Sequence, residues 1–194
     1  MESEVWLVRH GETEWSLTGQ HSGRNDIALT PNGEEEARRV APLLRGEHFD
    51  QVLCSTLQRA RRTCSLAGFG ERAEFDPELQ EWDYGECTGL TREQLGEKYP
   101  GWTIWAGPVP GGESIGEIGA RARRVVEAVR SRGGRTLIFS HGHFLRVFTT
   151  EWLSLPPDSG KHFALFTSAV CIVGEEAGTP AILAWNWKQT NGSP

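Results

Sequence analysis

The sequence predicts an α/β fold, a three-layer α/β/α sandwich with a mostly parallel central sheet. Short apolar runs of the kind that form buried strands alternate along the chain with segments whose apolar residues recur at helical spacing. Strands that alternate with helices in this way form a parallel sheet covered by helices on both faces. The chain has 194 residues, the length of one domain of generous size, and we expect residues 1–194 to form it.

Residues that can donate hydrogen bonds to an anion follow three of the predicted strands. The apolar run at residues 5–8 continues into Arg-His-Gly, the run at 51–54 into Ser and then Arg59, and the run at 136–139 into Ser-His-Gly-His. Ligands of open α/β sheets bind outside the carboxyl ends of the strands, and Arg offers a fork of donors that matches phosphate oxygens. Taken alone, the first run could be a strand with a surface Arg and His. The repetition favours a site for a multiply charged oxyanion, phosphate first.

Two helices flank the second predicted strand. A long polar loop at residues 12–29 precedes the first of them, and ordered loops of this length are usually functional. Thr30 and Pro31 begin the first helix as its N-cap and first residue, and we expect Pro42 to bend or shorten its last turn. The second helix is predicted over residues 57–67.

Three arginines in the second predicted helix cannot all face one site. Arg59 lies in the first turn, closest to the end of the preceding strand, and is therefore the candidate ligand for the oxyanion. Arg61 and Arg62 are expected to lie in solvent.

The middle of the chain is predicted to be irregular, with one short helix. A short extended segment at residues 73–75 leads into an aromatic and acidic loop at residues 79–86. Thr91 and Gln94 form a capping box for a short helix that ends near residue 99. Residues 101–112 are rich in Gly, Pro and Trp and could rim a pocket.

The last third of the chain predicts two helices and three strands. Ser114 begins a helix, through a second capping box, that runs to about residue 132. The strand that ends at Ser140 precedes a helix at residues 144–153. Two apolar strands follow near residues 169–173 and 181–187, with a turn at residues 174–180 and a frayed tail at 188–194.

Composition excludes several classes of function. A formal net charge of −6 argues against a general nucleic-acid surface, so any cationic site must be local. The four cysteines have no paired spacing and are expected to be reduced core thiols, not a disulfide framework or a zinc site. An acidic start and the lack of a long apolar run lead us to expect a cytoplasmic protein with no signal peptide and no membrane span.

Two histidines, two arginines and an acid are suited to one reaction. A neutral imidazole can attack phosphorus and form a phosphohistidine that water later removes. Arginines can stabilise the charge on the non-bridging oxygens, and the second histidine can donate to the same oxygens. A carboxylic acid can protonate the leaving oxygen and then accept a proton from water. The sequence has no obvious carboxylate cluster for a metal, and we expect neither a metal nor another cofactor.

Six motifs, in order along residues 5–153, resemble those of the histidine phosphatase superfamily, the phosphoglycerate mutase-like proteins. They are Leu7-Val8-Arg9-His10-Gly11-Glu12-Thr13, Leu29-Thr30-Pro31-Asn32-Gly33, Ser55-Thr56-Leu57-Gln58-Arg59-Ala60-x-x-Thr63, Leu79-Gln80-Glu81, Gly112-Glu113-Ser114 and Ser140-His141-Gly142.

The resemblance implies a role for each matching residue. His10 resembles the phosphorylated nucleophile and Glu81 the general acid. Asp83 and Glu86 are the alternative acids, but they do not stand at the family position. The residues expected in the phosphate pocket are Arg9, Arg59 and His141. Those expected to contact the phosphate or the rest of the substrate are Ser16, Ser22, Gly23 and Gly142, of which Ser16 stands where many members have Asn.

The same resemblance leads us to expect a phosphatase. Mutases of the family carry a longer insertion between the acid and the second histidine, whereas sixty positions separate Glu81 from His141 here. Gly19-Gln20-His21-Ser22-Gly23 and Glu81-Trp82-Asp83-Tyr84-Gly85 resemble the sugar-phosphate phosphatases related to sedoheptulose-1,7-bisphosphatase. The alternatives are a phosphoglycerate mutase, a broad acid phosphatase and an inactive relative that binds a phosphorylated ligand. The expected partners are a small phosphorylated metabolite, phosphate as product and, where the protein self-associates, a second copy of the chain.

Overall fold

A six-stranded sheet in the order β3-β2-β4-β1-β5-β6 lies at the centre of the computed structural model, which describes residues 3–188. The end of the predicted frayed tail, residues 189–194, lies outside the described residues. The strands are β1 (Ser3–Arg9), β2 (Gln51–Ser55), β3 (Glu74–Asp76), β4 (Gly134–Ser140), β5 (Val170–Glu176) and β6 (Thr179–Trp187). The helices are α1 (Glu14–Thr18), α2 (Pro31–Arg38), α3 (Val40–Leu44), α4 (Gln58–Leu66), α5 (Arg92–Lys98), α6 (Ile115–Arg132) and α7 (Gly142–Trp152). Short 3-10 helices lie at Pro77–Leu79, Gly85–Cys87 and Pro157–His162.

The sheet is mostly parallel, as the sequence predicts. Strands β3, β2, β4 and β1 run parallel to one another. Strand β5 is antiparallel to β1, and β6 is antiparallel to β5. The last two strands form a hairpin whose turn residues, Ala177 and Gly178, both have positive φ. The predicted turn at residues 174–180 is therefore wrong in length, because both strands extend into it.

Two apolar layers cover the sheet, one on each face. In β1, Val5 and Leu7 point into the layer formed with α6 and α7, while Trp6 and Val8 point into the layer formed with α3 and α4. This alternation is the two-residue period of a strand that is buried on both faces. All four cysteines are buried and free, as predicted. Among the helices of residues 3–188, none combines the length and the apolar character needed to cross a bilayer.

Local sequence signals explain where several of the helices begin and end. The capping boxes predicted at Thr91 and Ser114 are both present. Near Pro42 the predicted helix is divided at one residue, Arg39, where α2 ends and α3 begins, because proline lacks the N–H for a helical bond to residue 38 and its ring crowds that carbonyl. The loop predicted at residues 12–29 contains a helix that the sequence analysis missed, α1, which is capped by Thr13.

Two glycines bring the end of β1 against the start of α2. A Cβ atom on Gly33 would overlap the backbone oxygen of Glu12, and one on Gly11 would overlap the carbonyl of Gly33. The absence of both side chains therefore sets the path of the chain directly after His10.

We predict that Gly33→Ala destabilises the protein by roughly 1–3 kcal/mol, the usual effect of forcing extra volume into a packed site. The measurement is urea unfolding of both proteins. Gly96→Ala is the matched control, because Gly96 lies inside α5 with open space around it. That variant should gain about 0.5–1 kcal/mol from the better helix former. Equal effects of the two substitutions would contradict the close contact.

Candidate active site

The carboxyl ends of β1, β2 and β4 bring the predicted site residues together. Because β4 lies between β1 and β2, the residues that follow these three strands meet at one edge of the sheet. The backbone N–H of His10 donates to the carbonyl of Ser140 at 3.0 Å. The imidazole rings of His10 and His141 lie 5.2 Å apart, and the Nε atom of Arg59 lies 3.2 Å from Nδ1 of His141.

A cavity of about 180 Å³ opens at this edge. It is smaller than the roughly 300–1,000 Å³ of sites for drug-sized ligands, so it suits a phosphate group with a small organic body. Seven of the nine predicted site residues line it: Arg9, His10, Ser16, Ser22, Arg59, Glu81 and Gly142. The other lining residues are Trp15, Gly19, Gln20, His21, Tyr84, His143, Arg146 and Leu165. The two predicted residues that do not reach the wall, Gly23 and His141, both contact Arg59.

Arg59 is a fully buried cation that is held by carbonyl oxygens and an imidazole. Its Nη1 and Nη2 atoms donate to the carbonyls of Asn25 and Gly23, both at 2.7 Å, and its Nε donates to Nδ1 of His141. Burial lowers the pKa of Arg59 from its ordinary value. Arg61 and Arg62 are exposed, as the sequence analysis expects, whereas Arg59 is buried at the cavity.

His141 lies behind Arg59 and not on the cavity wall. Its Nδ1 accepts from Arg59, and its Nε2 lies 2.7 Å from the hydroxyl of Ser55. Both ring nitrogens are thus engaged within the protein, whereas the sequence analysis expected this ring to contact the phosphate. Burial, followed by the charge of Arg59, holds the pKa of His141 well below 6.5. The neutral ring is what allows Nδ1 to accept a hydrogen bond from a cation.

Arg9 offers a donor without an acceptor. Its Nη1 donates to the carbonyl of Leu165 at 2.6 Å, while its buried Nε meets no acceptor among residues 3–188. Gly142 leaves room for the guanidinium group, because a Cβ there would lie 3.3 Å from Nε. Burial lowers the pKa of Arg9. A buried unpaired donor is costly, and an oxyanion in the adjoining cavity is the acceptor that would offset this cost.

The hydrogen bonds of His10 decide which of its nitrogens is free. Nδ1 lies 2.7 Å from the carbonyl oxygen of Gly11, which can only accept, so Nδ1 carries the hydrogen. Nε2 therefore keeps its lone pair. Burial, then the charges of Arg59 and Arg9, hold the pKa of His10 well below its ordinary value of 6.5. The imidazole is consequently neutral at physiological pH and available as a nucleophile.

Backbone groups orient the carboxylate of Glu81. Its Oε1 accepts from the N–H groups of Trp82 and Phe144, both at 2.9 Å, and its Oε2 accepts from that of His143 at 3.1 Å. Two of these donors belong to the first turn of α7, where a carboxylate is favoured by the helix dipole. Neither alternative acid lines the cavity: Asp83 pairs with Arg24 at 3.3 Å, and Glu86 is exposed.

Arg121 on α6 holds the segment that carries Glu81. Its Nη1 donates to the carbonyls of Glu78 and Gln80 at 2.6 and 2.8 Å, and its Nη2 to that of Glu81 at 3.3 Å. The same buried guanidinium group pairs with Glu113, with Nε 2.8 Å from Oε1. One side chain therefore supplies donors to three carbonyls of an otherwise irregular segment.

The sequence analysis missed several residues of the wall. Arg146 and His143 both line the cavity. These residues stand three positions apart on α7 and so share one helix face, which is the signal that could have linked them. The hydroxyl of Tyr84 lies 2.5 Å from Nδ1 of His143, and burial raises the pKa of Tyr84, which keeps that hydroxyl protonated.

The charge of the wall is opposite to that of the whole chain. Three guanidinium groups, those of Arg9, Arg59 and Arg146, face the cavity with one carboxylate, that of Glu81. The site therefore carries local positive charge in a protein whose net charge is −6. Within residues 3–188 no three His, Cys, Asp or Glu side chains are grouped as a metal site would require.

Comparison with known proteins gives close relatives along most of the chain. The model of the histidine phosphatase superfamily, branch 1, matches residues 5–188. An acid phosphatase of Mycobacterium tuberculosis is 39% identical, over 89% of this chain and 86% of the relative. A sedoheptulose 1,7-bisphosphatase of Saccharomyces cerevisiae is 32% identical, over 77% of this chain and 67% of the relative. A 2,3-bisphosphoglycerate-dependent phosphoglycerate mutase of Cytophaga hutchinsonii is 32% identical, over 84% and 83%.

Solved structures agree with the fold. The structure of a protein from an open reading frame of Mycobacterium tuberculosis has a TM-score of 0.91 and 35% identity, and the match covers 96% of this chain and 98% of that one. The predicted α/β fold class is confirmed.

We predict that acid destabilises the protein through its buried histidines. Because the pKa values of His10 and His141 are well below 6.5 in the folded state, only the unfolded chain takes up their protons as the pH falls through 6.5. Stability is then present above 6.5 and is lost below it, by about 1.4 kcal/mol per pH unit for each histidine.

Urea unfolding between about pH 7.5 and about pH 5.5 measures this slope. His10→Gln should reduce the slope by about 1.4 kcal/mol per pH unit, the contribution of one proton. His48→Gln, at a side chain 83% exposed, should leave the slope unchanged. A slope that is the same in all three proteins would mean that His10 is not held neutral.

Proposed function

This chain belongs to the histidine phosphatase superfamily, branch 1, as its motifs predict, and is a phosphomonoester hydrolase; on that premise we propose that it dephosphorylates a small phosphorylated metabolite through a phosphohistidine at His10. One observation carries the proposal. The free Nε2 of a neutral, buried His10 lies at the end of β1 beside Arg9, whose Nε has no acceptor among the described residues.

In the first step, the lone pair of His10 Nε2 attacks phosphorus, and the bond from phosphorus to the leaving oxygen breaks. Glu81 in its acid form gives its proton to that oxygen, so that an alcohol departs. In the second step, water attacks the phosphohistidine while the Glu81 carboxylate takes its proton. The N–P bond breaks, and neutral His10, protonated Glu81 and phosphate result. No step is assigned to a metal ion or another cofactor.

The remaining residues bind the phosphate or hold the groups that bind it. Arg9 and Arg59 stabilise charge on the non-bridging oxygens, where preorganised donors contribute most. Ser16, Ser22 and Gly142 contact the phosphate or the organic body, which their place on the wall supports. Gly23 and His141 act through Arg59, to which each is hydrogen-bonded.

We favour a phosphatase that acts on sugar phosphates. The bisphosphatase relative, 32% identical, supports this substrate class, and the acid phosphatase relative, 39% identical, supports a broader specificity. A mutase is the alternative that the third relative suggests. A mutase must keep its product for rephosphorylation, whereas a hydrolase releases it to water. An inactive ligand-binding role is disfavoured because His10, Arg9, Arg59, His141 and Glu81 are all present and close together.

We predict that His10 becomes phosphorylated during turnover. Rapid quench with a ³²P-labelled sugar phosphate should trap an adduct that is labile in acid and stable in base, and the label should then appear as inorganic phosphate. His10→Ala should abolish both adduct and turnover, while the exposed control His48→Ala should keep them. A fully active His10→Ala protein would rule out this mechanism, and label found in a second metabolite would identify a mutase.

We also predict that the effect of Glu81→Gln depends on the leaving group. A sugar alkoxide needs the proton that Glu81 provides, whereas nitrophenolate hardly does. Phosphohistidine formation from a sugar phosphate should therefore slow by roughly 10²–10⁴-fold, and formation from p-nitrophenyl phosphate by far less. Single-turnover kinetics must be used, because Glu81 also acts in the second step. Equal losses on the two substrates would contradict the role of Glu81 as the acid, and Asp83 and Glu86 would be tested next.

A further inference from the structure

A segment outside the motifs of the site contacts both Arg9 and His10. It consists of residues 163–169, between the last 3-10 helix and β5, and we call it the connector. The carbonyl of its Leu165 accepts from Nη1 of Arg9 at 2.6 Å, and the N–H of its Ser168 donates to the carbonyl of His10 at 3.2 Å. The reaction described above assigns the connector no role.

The carbonyl of Leu165 sets the orientation of the Arg9 side chain. The guanidinium group lies against Gly142, where a Cβ atom would come within 3.3 Å of both Cζ and Nε. With Gly142 behind the group and the carbonyl on Nη1, its plane is fixed and the buried Nε is left for a ligand. Because arginine binds phosphate through donors in a rigid planar arrangement, a displaced carbonyl would turn those donors away from the phosphate.

Asn186 on β6 holds the connector on both sides of Leu165. Its Nδ2 donates to the carbonyl of Ala164 at 2.7 Å, and its Oδ1 accepts from the N–H of Phe166 at 3.0 Å. A backbone carbonyl can only accept and an N–H can only donate, so these partners fix the orientation of the amide. The side chain thus bonds to the backbone just before and just after the residue that orients Arg9.

A second side chain of β6 contacts the same carbonyl. The Nε1 of Trp185 donates to the carbonyl of Ala164 at 2.6 Å, and the indole ring lies 5.6 Å from the ring of Phe163. Successive side chains of a regular strand point to opposite faces of the sheet. Residues 185 and 186 nevertheless reach the same carbonyl, so the strand must be distorted there.

The distortion is a β-bulge at Asn186. Between the pairs Val170 with Trp187 and Ile172 with Ala184, two residues of β6 stand opposite one residue of β5. Asn186 has a φ of 57°, a conformation that asparagine adopts more readily than most residues. Bulges re-aim side chains and are frequent beside active sites. This bulge turns the amide toward the connector.

We propose that Asn186 is a positioning residue for phosphate binding and phosphoryl transfer, which acts by holding the carbonyl of Leu165 and, through it, the guanidinium group of Arg9. The inference rests on the proposed function, because it takes Arg9 to bind the reacting phosphate. Neither Asn186 nor Trp185 lines the cavity, so both act without touching the substrate. The last strand thereby contributes to a site whose recognised motifs end before residue 153.

Asn186→Gly tests the proposal, because glycine takes a positive φ freely and the variant loses only the amide. Its kcat/KM for p-nitrophenyl phosphate should fall by roughly 10- to 100-fold, since a misplacement of about 1 Å can slow a reaction about 100-fold. Its Kd for inorganic phosphate, measured by calorimetry, should rise about tenfold, the effect of weakening one charged hydrogen bond.

Ser154→Gly is the matched control. Ser154 also has a φ of 57°, is exposed and does not line the cavity. That variant should keep the kcat/KM and the phosphate affinity of the unaltered protein. If Asn186→Gly keeps them as well, the proposal is overturned.

A double-mutant cycle shows whether the effect passes through Arg9. In the Arg9→Met protein there is no guanidinium group to orient. Adding Asn186→Gly should therefore lower kcat/KM by less than about twofold, the scatter expected of independent sites. A loss as large as in the unaltered protein would show that Asn186 supports the fold alone, and would overturn the proposal.

Trp185→Phe keeps the test decisive if Asn186→Gly does not fold, which urea unfolding reveals. This variant retains a ring against Phe163 but loses the donor to Ala164. Weaker phosphate binding by Trp185→Phe supports the proposal, and unchanged binding overturns it. Phosphate binding requires no turnover, so calorimetry also separates this inference from the proposed function. Failure of the unaltered protein to hydrolyse p-nitrophenyl phosphate would count against the function alone, while unchanged phosphate affinity in the variants would count against the role of Asn186 alone.

Discussion

Buried positive charge without a carboxylate partner is the constraint on which the site depends. Arg59 is fully buried and Arg9 has a buried Nε, and the groups that surround them are backbone carbonyls and a neutral imidazole. A salt bridge would have neutralised these cations and removed the site's attraction for an anion. Carbonyl oxygens satisfy part of the donor capacity and leave the charge in place. Burial, and after it the same charge, keeps the pKa values of His10 and His141 low and both rings neutral, so the phosphate pocket and the nucleophile depend on one buried, cationic environment.

The sequence predicted the sheet and seven of the fifteen residues of the cavity wall, because these depend on local patterns. Apolar runs followed by Arg or His mark the carboxyl ends of parallel strands, and parallel strands bring those ends to one edge whatever their order. The position of Arg59 in the first turn of its helix was enough to separate it from Arg61 and Arg62. The capping boxes at Thr91 and Ser114 could likewise be predicted, because each is complete within four residues.

The rest could not be predicted because it depends on tertiary packing. Nothing local in the sequence indicates that the ring of His141 turns toward Ser55 and Arg59, away from the cavity. Arg146 has no motif around it, and its importance arises only when Trp105 and Gly160 pack against it. The length of the β5–β6 turn was misjudged because two residues with positive φ can reverse a chain for which seven had been allowed.

The way in which Arg59 is held has a consequence for how such a protein can diversify. Its guanidinium group is fastened to the carbonyls of Gly23 and Asn25, so an insertion or deletion near those residues would move the cation that binds the phosphate. Among the described residues, the segment that supplies Trp102 and Trp105 makes none of the hydrogen bonds that hold Arg59, and it lines a neighbouring cavity of about 350 Å³. Evolution and protein engineering can therefore change the sequence of one of these two segments more readily than that of the other. One must keep its length to preserve the chemistry, and the other can vary at its exposed positions, since its Trp102 and Ile104 are buried in the core.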